Sequence, residues 1–212
     1  MTQGFFLVIE GTEGAGKSTL TAGLVRRLRA EGEDPLAVRE PGGTPLAERL
    51  RTVLLESDTP MTATTELFLF LAARADLVAS VIRPALEQGR TVLADRFQLS
   101  TEAYQGGGRG LDRELIGWAN RAATGGLQAD LTLVLDLPAG QGFDRLRQSG
   151  ARLDRIEREG PAFHARVADV FRSAAGSGIL HLDATLPSEQ VLERAWQELE
   201  ARRSGARPVA RD

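Results

Sequence analysis

The sequence has no cysteine, which removes disulfides, thiolate chemistry and cysteine-ligated zinc from consideration. Histidine is almost as scarce: the two present, His164 and His181, are not spaced as a metal pair and are expected on a helix surface and at a strand end. No apolar run reaches the ~20 residues that span a bilayer. The apolar start Phe5 to Ile9 is too short and wrongly flanked for a secretory signal, so a cytoplasmic chain with no membrane partner is expected. Positive charge is not in excess either. A formal net charge of -3 gives no general attraction to nucleic acid, and any bound phosphate must meet a local cluster of basic groups. Lysine is the sharpest scarcity: of the 26 basic residues only Lys17 is a lysine, and the rest are arginines. A chain that otherwise uses the planar guanidinium keeps one compact ammonium at one place.

What is present reads as an ordinary globular chain, 42% hydrophobic and 26% charged over 212 residues. Short apolar stretches at Phe5 to Ile9, Leu36 to Arg39, Val92 to Ala94, Leu131 to Leu135 and Ile179 to Leu182 predict strands. Between them lie helical periods at 45–56, 64–88, 112–123, 140–148, 161–175 and 188–203. Such alternation predicts an α/β fold with a five-stranded parallel sheet flanked by helices. Residues 1–203 read as one domain, with an arginine-rich lid at about 145–158 and a frayed tail at 204–212.

Directly after the first strand, Gly11-Thr12-Glu13-Gly14-Ala15-Gly16-Lys17-Ser18 satisfies G-x-x-x-x-G-K-[ST], and a helix follows at once. The context is the one a phosphate-binding P-loop requires. Glycines let successive N–H groups point inward, and the helix N-terminus adds its positive dipole end. Lys17 is then expected to reach the β- and γ-phosphates of ATP while the Ser18 hydroxyl ligates Mg²⁺. Thr19, in the first helical turn, is grouped with the loop. A GTPase would need a guanine-reading Asn-Lys-x-Asp segment, which a chain with Lys17 as its single lysine cannot contain.

Two further constellations point to an acceptor. Asp95 and Arg96 end the Val92 to Ala94 strand on the sheet edge that carries the P-loop, where a carboxylate can hold Mg²⁺ through water and a guanidinium can bind a phosphate. Leu67, Phe70, Leu71 and Arg74 share one helical face. An arginine in an apolar stripe needs a partner: either a base held by Phe70 and Arg74 together, or a carboxylate such as Asp76 or Glu66.

The P-loop, the segment Arg39-Glu40-Pro41-Gly42-Gly43-Thr44 and the run from Asp95 through Gly110 resemble, in order and spacing, the bacterial thymidylate kinase family; Leu153-Asp154-Arg155-Ile156-Glu157 resembles its lid end. The resemblance implies that Phe70 stacks on thymine, Arg74 bonds its O4 edge and Thr101 meets N3. It also implies that Arg96 holds the dTMP phosphate, Glu13 lies near the sugar 3′-hydroxyl and Tyr104 fills the space of a ribose 2′-hydroxyl. Arg39 and Gln105, inside the matched segments, join the expected substrate-binding set. The variable P-loop positions offer no arginine, so the catalytic arginine is expected from the lid, with Arg145, Arg147, Arg152 and Arg155 as candidates. The implied reaction is ATP-dependent phosphorylation of dTMP with Mg²⁺, by a homodimer with no nucleic-acid partner. The competing readings are another nucleoside monophosphate or deoxynucleoside kinase, and a P-loop ATPase switch.

Overall fold

A computed structural model describes residues 4–56, 58–138, 140–148 and 153–205. Five parallel strands, β1 (Phe5–Gly11), β2 (Leu36–Arg39), β3 (Thr91–Asp95), β4 (Leu131–Asp136) and β5 (Ile179–Asp183), lie in the order β2-β3-β1-β4-β5. The central strand β1 is buried on both faces, as its unbroken apolar run requires. Leu7 and Ile9 face α1 (Lys17–Ala30) and α9 (Ser188–Arg203), meeting Leu20, Leu24, Leu28, Ala195 and Leu199. Phe6 and Val8 face the other way, toward Leu77, Val78, Ile82 and Phe97.

Two of the predicted helices keep their spans but pass through π-helical turns that simple periodicity does not show. Helix α2 (Pro45–Arg51) widens into a π-helical turn at Thr52–Glu56. The predicted 64–88 helix is α3 (Ala63–Leu77), a π-helical turn at Val78–Ile82 and α4 (Arg83–Glu87) in succession. After β3, α5 (Gln98–Thr101) passes into π-helical turns over Glu102–Gly108, beside the cavity described below. Helices α6 (Arg113–Thr124), α7 (Gln141–Gln148) and α8 (Pro161–Ser173) complete the set.

The triplet Gly106-Gly107-Gly108 has a packing reason. A Cβ on Gly108 would lie 2.4 Å from the Phe163 ring, and one on Gly107 would lie 2.7 Å from Val170 Cγ2. Both neighbours belong to α8, so bare backbone lets that helix close on the π-helical segment and bury Tyr104, Phe163, Val167 and Phe171 together. Arg166 then donates to the Gly107 and Gly108 carbonyls at 3.0 and 2.6 Å.

At the lid end, Asp154 and Glu157 form a reciprocal cap. Asp154 Oδ1 accepts from the Ile156 and Glu157 N–H groups, and Glu157 Oε2 accepts from Asp154 N–H at 2.9 Å. His164 is half-buried rather than on a helix surface, with Phe143 and Phe163 ring centroids 4.5 and 5.2 Å away. His181 does lie in β5, with Nδ1 2.9 Å from Asp136. Arg152, and the tail from 206 on, fall outside the described residues. No described helix is long and apolar enough to cross a membrane.

Candidate active site

The P-loop leaves β1 at Gly11 and enters α1 at Lys17, with Gly14 at φ 69° and Gly16 at φ 96°. Lys17 is buried, and its ammonium donates to the Gly11 and Thr12 carbonyls at 3.0 and 2.7 Å. Burial lowers its pKa to about 8, and repulsion from Arg96 works in the same direction. The Ser18 hydroxyl donates to Asp95 Oδ2 at 2.8 Å, which unites the two expected magnesium ligands from α1 and β3. Among the described residues no group of three or more acidic, histidine or cysteine side chains is arranged to hold a metal. Mg²⁺ commonly takes one or two protein oxygens and fills its sphere with phosphate and water, so the Ser18–Asp95 pair fits that ion.

A cavity of about 290 Å³ opens beside the loop, lined by Glu13, Lys17, Ser18, Arg39, Arg51, Phe70, Arg74, Asp95, Arg96, Thr101, Tyr104 and Gln105 among others. Arg96 enters it from the end of β3. Its guanidinium donates to Gly11 O at 3.1 Å, Ser100 Oγ at 3.2 Å and Glu13 Oε1 at 3.0 Å, and lies 5.1 Å from the Tyr104 ring centroid. Tyr104 donates its hydroxyl to the same Glu13 oxygen. Burial alone would raise the Glu13 pKa, but the Arg96 and Lys17 charges and the Tyr104 hydroxyl bring it below the ordinary value. The Tyr104 phenol is pushed the other way by burial, and the adjoining Glu13 carboxylate adds to that rise, so it remains a donor.

Arg74 is buried across the cavity, and its partner is neither Asp76 nor Glu66. Its Nε and Nη2 reach Glu40 Oε2 at 2.7 and 2.6 Å. Nη1 donates to Thr101 Oγ1 at 2.7 Å and Asn120 Oδ1 at 2.5 Å, and Nη2 donates to the Phe97 carbonyl at 2.8 Å. Four of the five N–H groups of the guanidinium thereby donate hydrogen bonds, and Nη2 also lies against the Glu40 carboxylate. Glu40 Oε1 is buried with no hydrogen-bond partner among the described residues. Gln105 donates to Glu66 at 2.9 Å. Phe70 is half-buried and lines the cavity.

The lid arginines scatter. Arg145 donates to Gly14 O at 3.3 Å and Ala184 O at 3.1 Å. Arg147 is 75% exposed, 3.8 Å from Asp144. Arg155 turns away from the P-loop: it pairs with the buried Glu66 at 2.8 Å and donates to Leu54 O at 2.7 Å. The lid helix itself meets the loop through bare backbone. A Cβ on Gly142 would lie 1.9 Å from Glu13 O, and one on Gly14 would lie 2.2 Å from Gly142 O.

Arg51 on the cavity wall and Asn120, which accepts from Arg74, were not among the sequence candidates. Arg51, whose guanidinium donates to Pro41 O at 2.9 Å, sits in a charged helix that gives no sign of its direction. Asn120 does carry a signal, since it interrupts the apolar stripe of Ile116, Ala119 and Ala123 on α6.

The family model described as thymidylate kinase matches residues 9–195. A thymidylate kinase of Pseudomonas fluorescens is 52% identical over 192 residues, covering 89% of this chain and 91% of that protein. One from Pseudomonas putida is 49% identical, covering 93% of this chain and 94% of its own length. Another, from Ectopseudomonas mendocina, is 48% identical over the same shares. On a match of this extent, and with a phosphate loop facing an arginine-lined cavity, the chain belongs to the thymidylate kinase family.

Proposed function

We propose that the protein transfers the γ-phosphoryl group of ATP to dTMP, giving ADP and dTDP. The observation that carries this reading is the convergence on one cavity of the P-loop lysine, the Ser18–Asp95 pair, Arg96 and the Phe70–Arg74–Thr101 group. Phosphate is received at Arg96, with Arg39 and Arg51 beside it. The base stacks on Phe70, and its polar edge meets Thr101, Gln105 and Arg74. Arg74 bonds O4 only if Thr101 or Asn120 yields one of its N–H groups. Glu13 and Tyr104 close the sugar side, where a 2′-hydroxyl would collide with the phenol that Glu13 holds.

In the reaction an anionic phosphate oxygen of dTMP forms the bond to Pγ while the bond to the β–γ bridging oxygen breaks, so no general base is needed. Lys17 and Arg96 draw the two nucleotides' charges together, and the P-loop N–H groups orient the β-phosphate. Mg²⁺, held by Ser18 and, through water, Asp95, would neutralise charge on the β- and γ-phosphates. Of the described lid arginines, Arg147 is the one whose guanidinium is largely solvated, and we assign it the approach to the γ-phosphate; Arg152 remains a candidate beside it. Adenine fits the open cleft beyond the loop, between Arg145, Leu186 and Thr19.

Residues 1–203 are read as one kinase domain with its lid at about 145–158. A homodimer is supported by Leu46, Phe68, Leu115 and Trp118, large apolar side chains left exposed on α2, α3 and α6, which pack in succession. A reaction that consumes ATP argues for the cytoplasm.

The test is ADP release with ATP and Mg²⁺ against dTMP, dUMP, UMP, dCMP, AMP, GMP and thymidine. Stimulation by dTMP far above the rest is expected. A different winning acceptor would overturn the base-site assignment, and release with no acceptor dependence would favour an ATPase switch.

A further inference from the structure

Arg96 is the one non-glycine residue with positive φ among the described residues, at 76°. An L-residue is disfavoured there and stays only when its surroundings hold it. Those surroundings are the last three residues of β1. Ile9 O accepts from Arg96 N–H at 2.9 Å, and Gly11 O accepts from the guanidinium at 3.1 Å. Between them stands Glu10, a fully buried carboxylate that the phosphoryl-transfer scheme does not use.

Glu10 reaches past Arg96 to the residues that follow it. Its Oε1 accepts from Phe97 N–H at 2.8 Å and Ser100 N–H at 3.1 Å, and its Oε2 accepts from the Ser100 hydroxyl at 2.6 Å. Helix α5 begins at Gln98, so the carboxylate caps its first turn from another strand. We propose that Glu10 is a positioning residue that clamps the turn after β3, holding Arg96 in its left-handed conformation and thereby aiming its guanidinium into the acceptor cavity. The clamp extends one step further, because the Phe97 carbonyl on the same turn accepts from Arg74. One buried acid thus orients both arginines of the acceptor side. Burial raises its pKa, opposed by the Ser100 hydroxyl and the Arg96 charge. The proposal rests on the reading of Arg96 as the dTMP-phosphate ligand.

The experiment compares Glu10→Gln, Glu10→Asp, Glu10→Ala and Ser100→Ala with wild type, by steady-state kinetics in each substrate and by thermal unfolding. The amide oxygen of Gln still accepts from both backbone N–H groups, so the dTMP KM should stay within about threefold of wild type. Ala leaves both N–H groups without that acceptor, and the dTMP KM should rise about 10-fold or more while the ATP KM stays within about twofold. In an Arg96→Ala background, Glu10→Ala should raise the dTMP KM by less than it does in wild type, the remaining effect passing through Arg74 and the Phe97 carbonyl. Should Glu10→Ala fail to fold, Glu10→Asp, whose shorter carboxylate does not span both N–H groups, carries the kinetic arm, with a rise of about threefold or more in dTMP KM alone; Ser100→Ala measures the direct contact of that hydroxyl with Arg96 as well. A folded variant with unchanged dTMP KM, or with both KM values raised equally, overturns the clamp. If Arg96→Ala itself leaves the dTMP KM unchanged, the acceptor reading has failed instead. The clamp is then judged by a crystal structure of Glu10→Ala: φ of residue 96 leaving the positive region supports it, and φ staying near 76° overturns it.

Discussion

Arg74 and Arg96 on the acceptor side and Arg147 on the lid are one residue type held in opposite ways. Arg74 is 3% exposed and Arg96 18%, and both are braced from several elements. Arg147 is 75% exposed, with one carboxylate 3.8 Å away. A braced guanidinium has given up its freedom before any ligand arrives, so it discriminates by shape at little further entropic cost. A solvated one must be ordered by the ligand it meets, and it suits a charge that is needed only when phosphate transfers. On the proposed roles, acceptor choice is built into the fold at Arg74 and Arg96, while the γ-phosphate contact of Arg147 is assembled during the reaction.

The largest effect expected is for Lys17→Met, which removes the single charge shared by both sides. It should lower kcat by about 100- to 1000-fold in the ADP-release assay. A loss under about tenfold would mean that the arginines carry the γ-phosphate without it. Next comes Arg96→Ala, expected to raise the dTMP KM by about 100-fold and leave ATP binding intact, as calorimetry with a non-hydrolysable ATP analogue would show. Equal loss for both nucleotides would dissolve the distinction between the sides. Arg147→Ala should do the reverse, lowering kcat by about tenfold with the dTMP KM unchanged.

Gly142→Ala tests where the sides touch. The added methyl would press on the Glu13 carbonyl at 1.9 Å, so either the lid helix or Glu13 must move. A loss of about 1–3 kcal/mol in unfolding free energy is expected, with a fall in kcat/KM as Glu13 leaves Arg96 and Tyr104. Normal kinetics with normal stability would show that the lid rests on the loop only loosely.

The sheet was legible because apolar runs and helical periods alternate cleanly, and β1 differs from its predicted span only by continuing to Gly11. The P-loop was legible because its chemistry is local. Partners across the fold were not. Arg74 sits in an apolar stripe and plainly needs an acceptor, yet nothing in the helix says that Glu40 supplies it rather than Glu66, one α3 turn pair away. Glu66 is instead taken by Arg109 and Arg155, which removes Arg155 from the P-loop's neighbourhood. Within a run of arginines, direction is decided by which distant carboxylate is buried, and a linear sequence does not encode that locally.

Lys17 breaks the comparison in one respect, since in the proposed scheme it serves the donor phosphates yet is buried before they arrive. Its pKa of about 8 lies below the ordinary 10.5, because the fold disfavours the charged form. Between those two values the unfolded chain keeps a proton that the folded chain has released, so stability gained from this residue grows as pH rises across that window. Below pH 8 the burial cost is present in full; the shift bounds it at about 3 kcal/mol. Lys17→Met has no such cost, though it leaves the Gly11 and Thr12 carbonyls without their donor, which reduces the gain. Without nucleotide, the variant should therefore be more stable relative to wild type at pH 7 than at pH 10, by urea denaturation at both. A pH-independent difference would mean that Lys17 keeps its ordinary pKa in the free enzyme, its burial offset by Asp95, Glu13 and Glu10, so that its charge stands ready for phosphate at no cost to the fold.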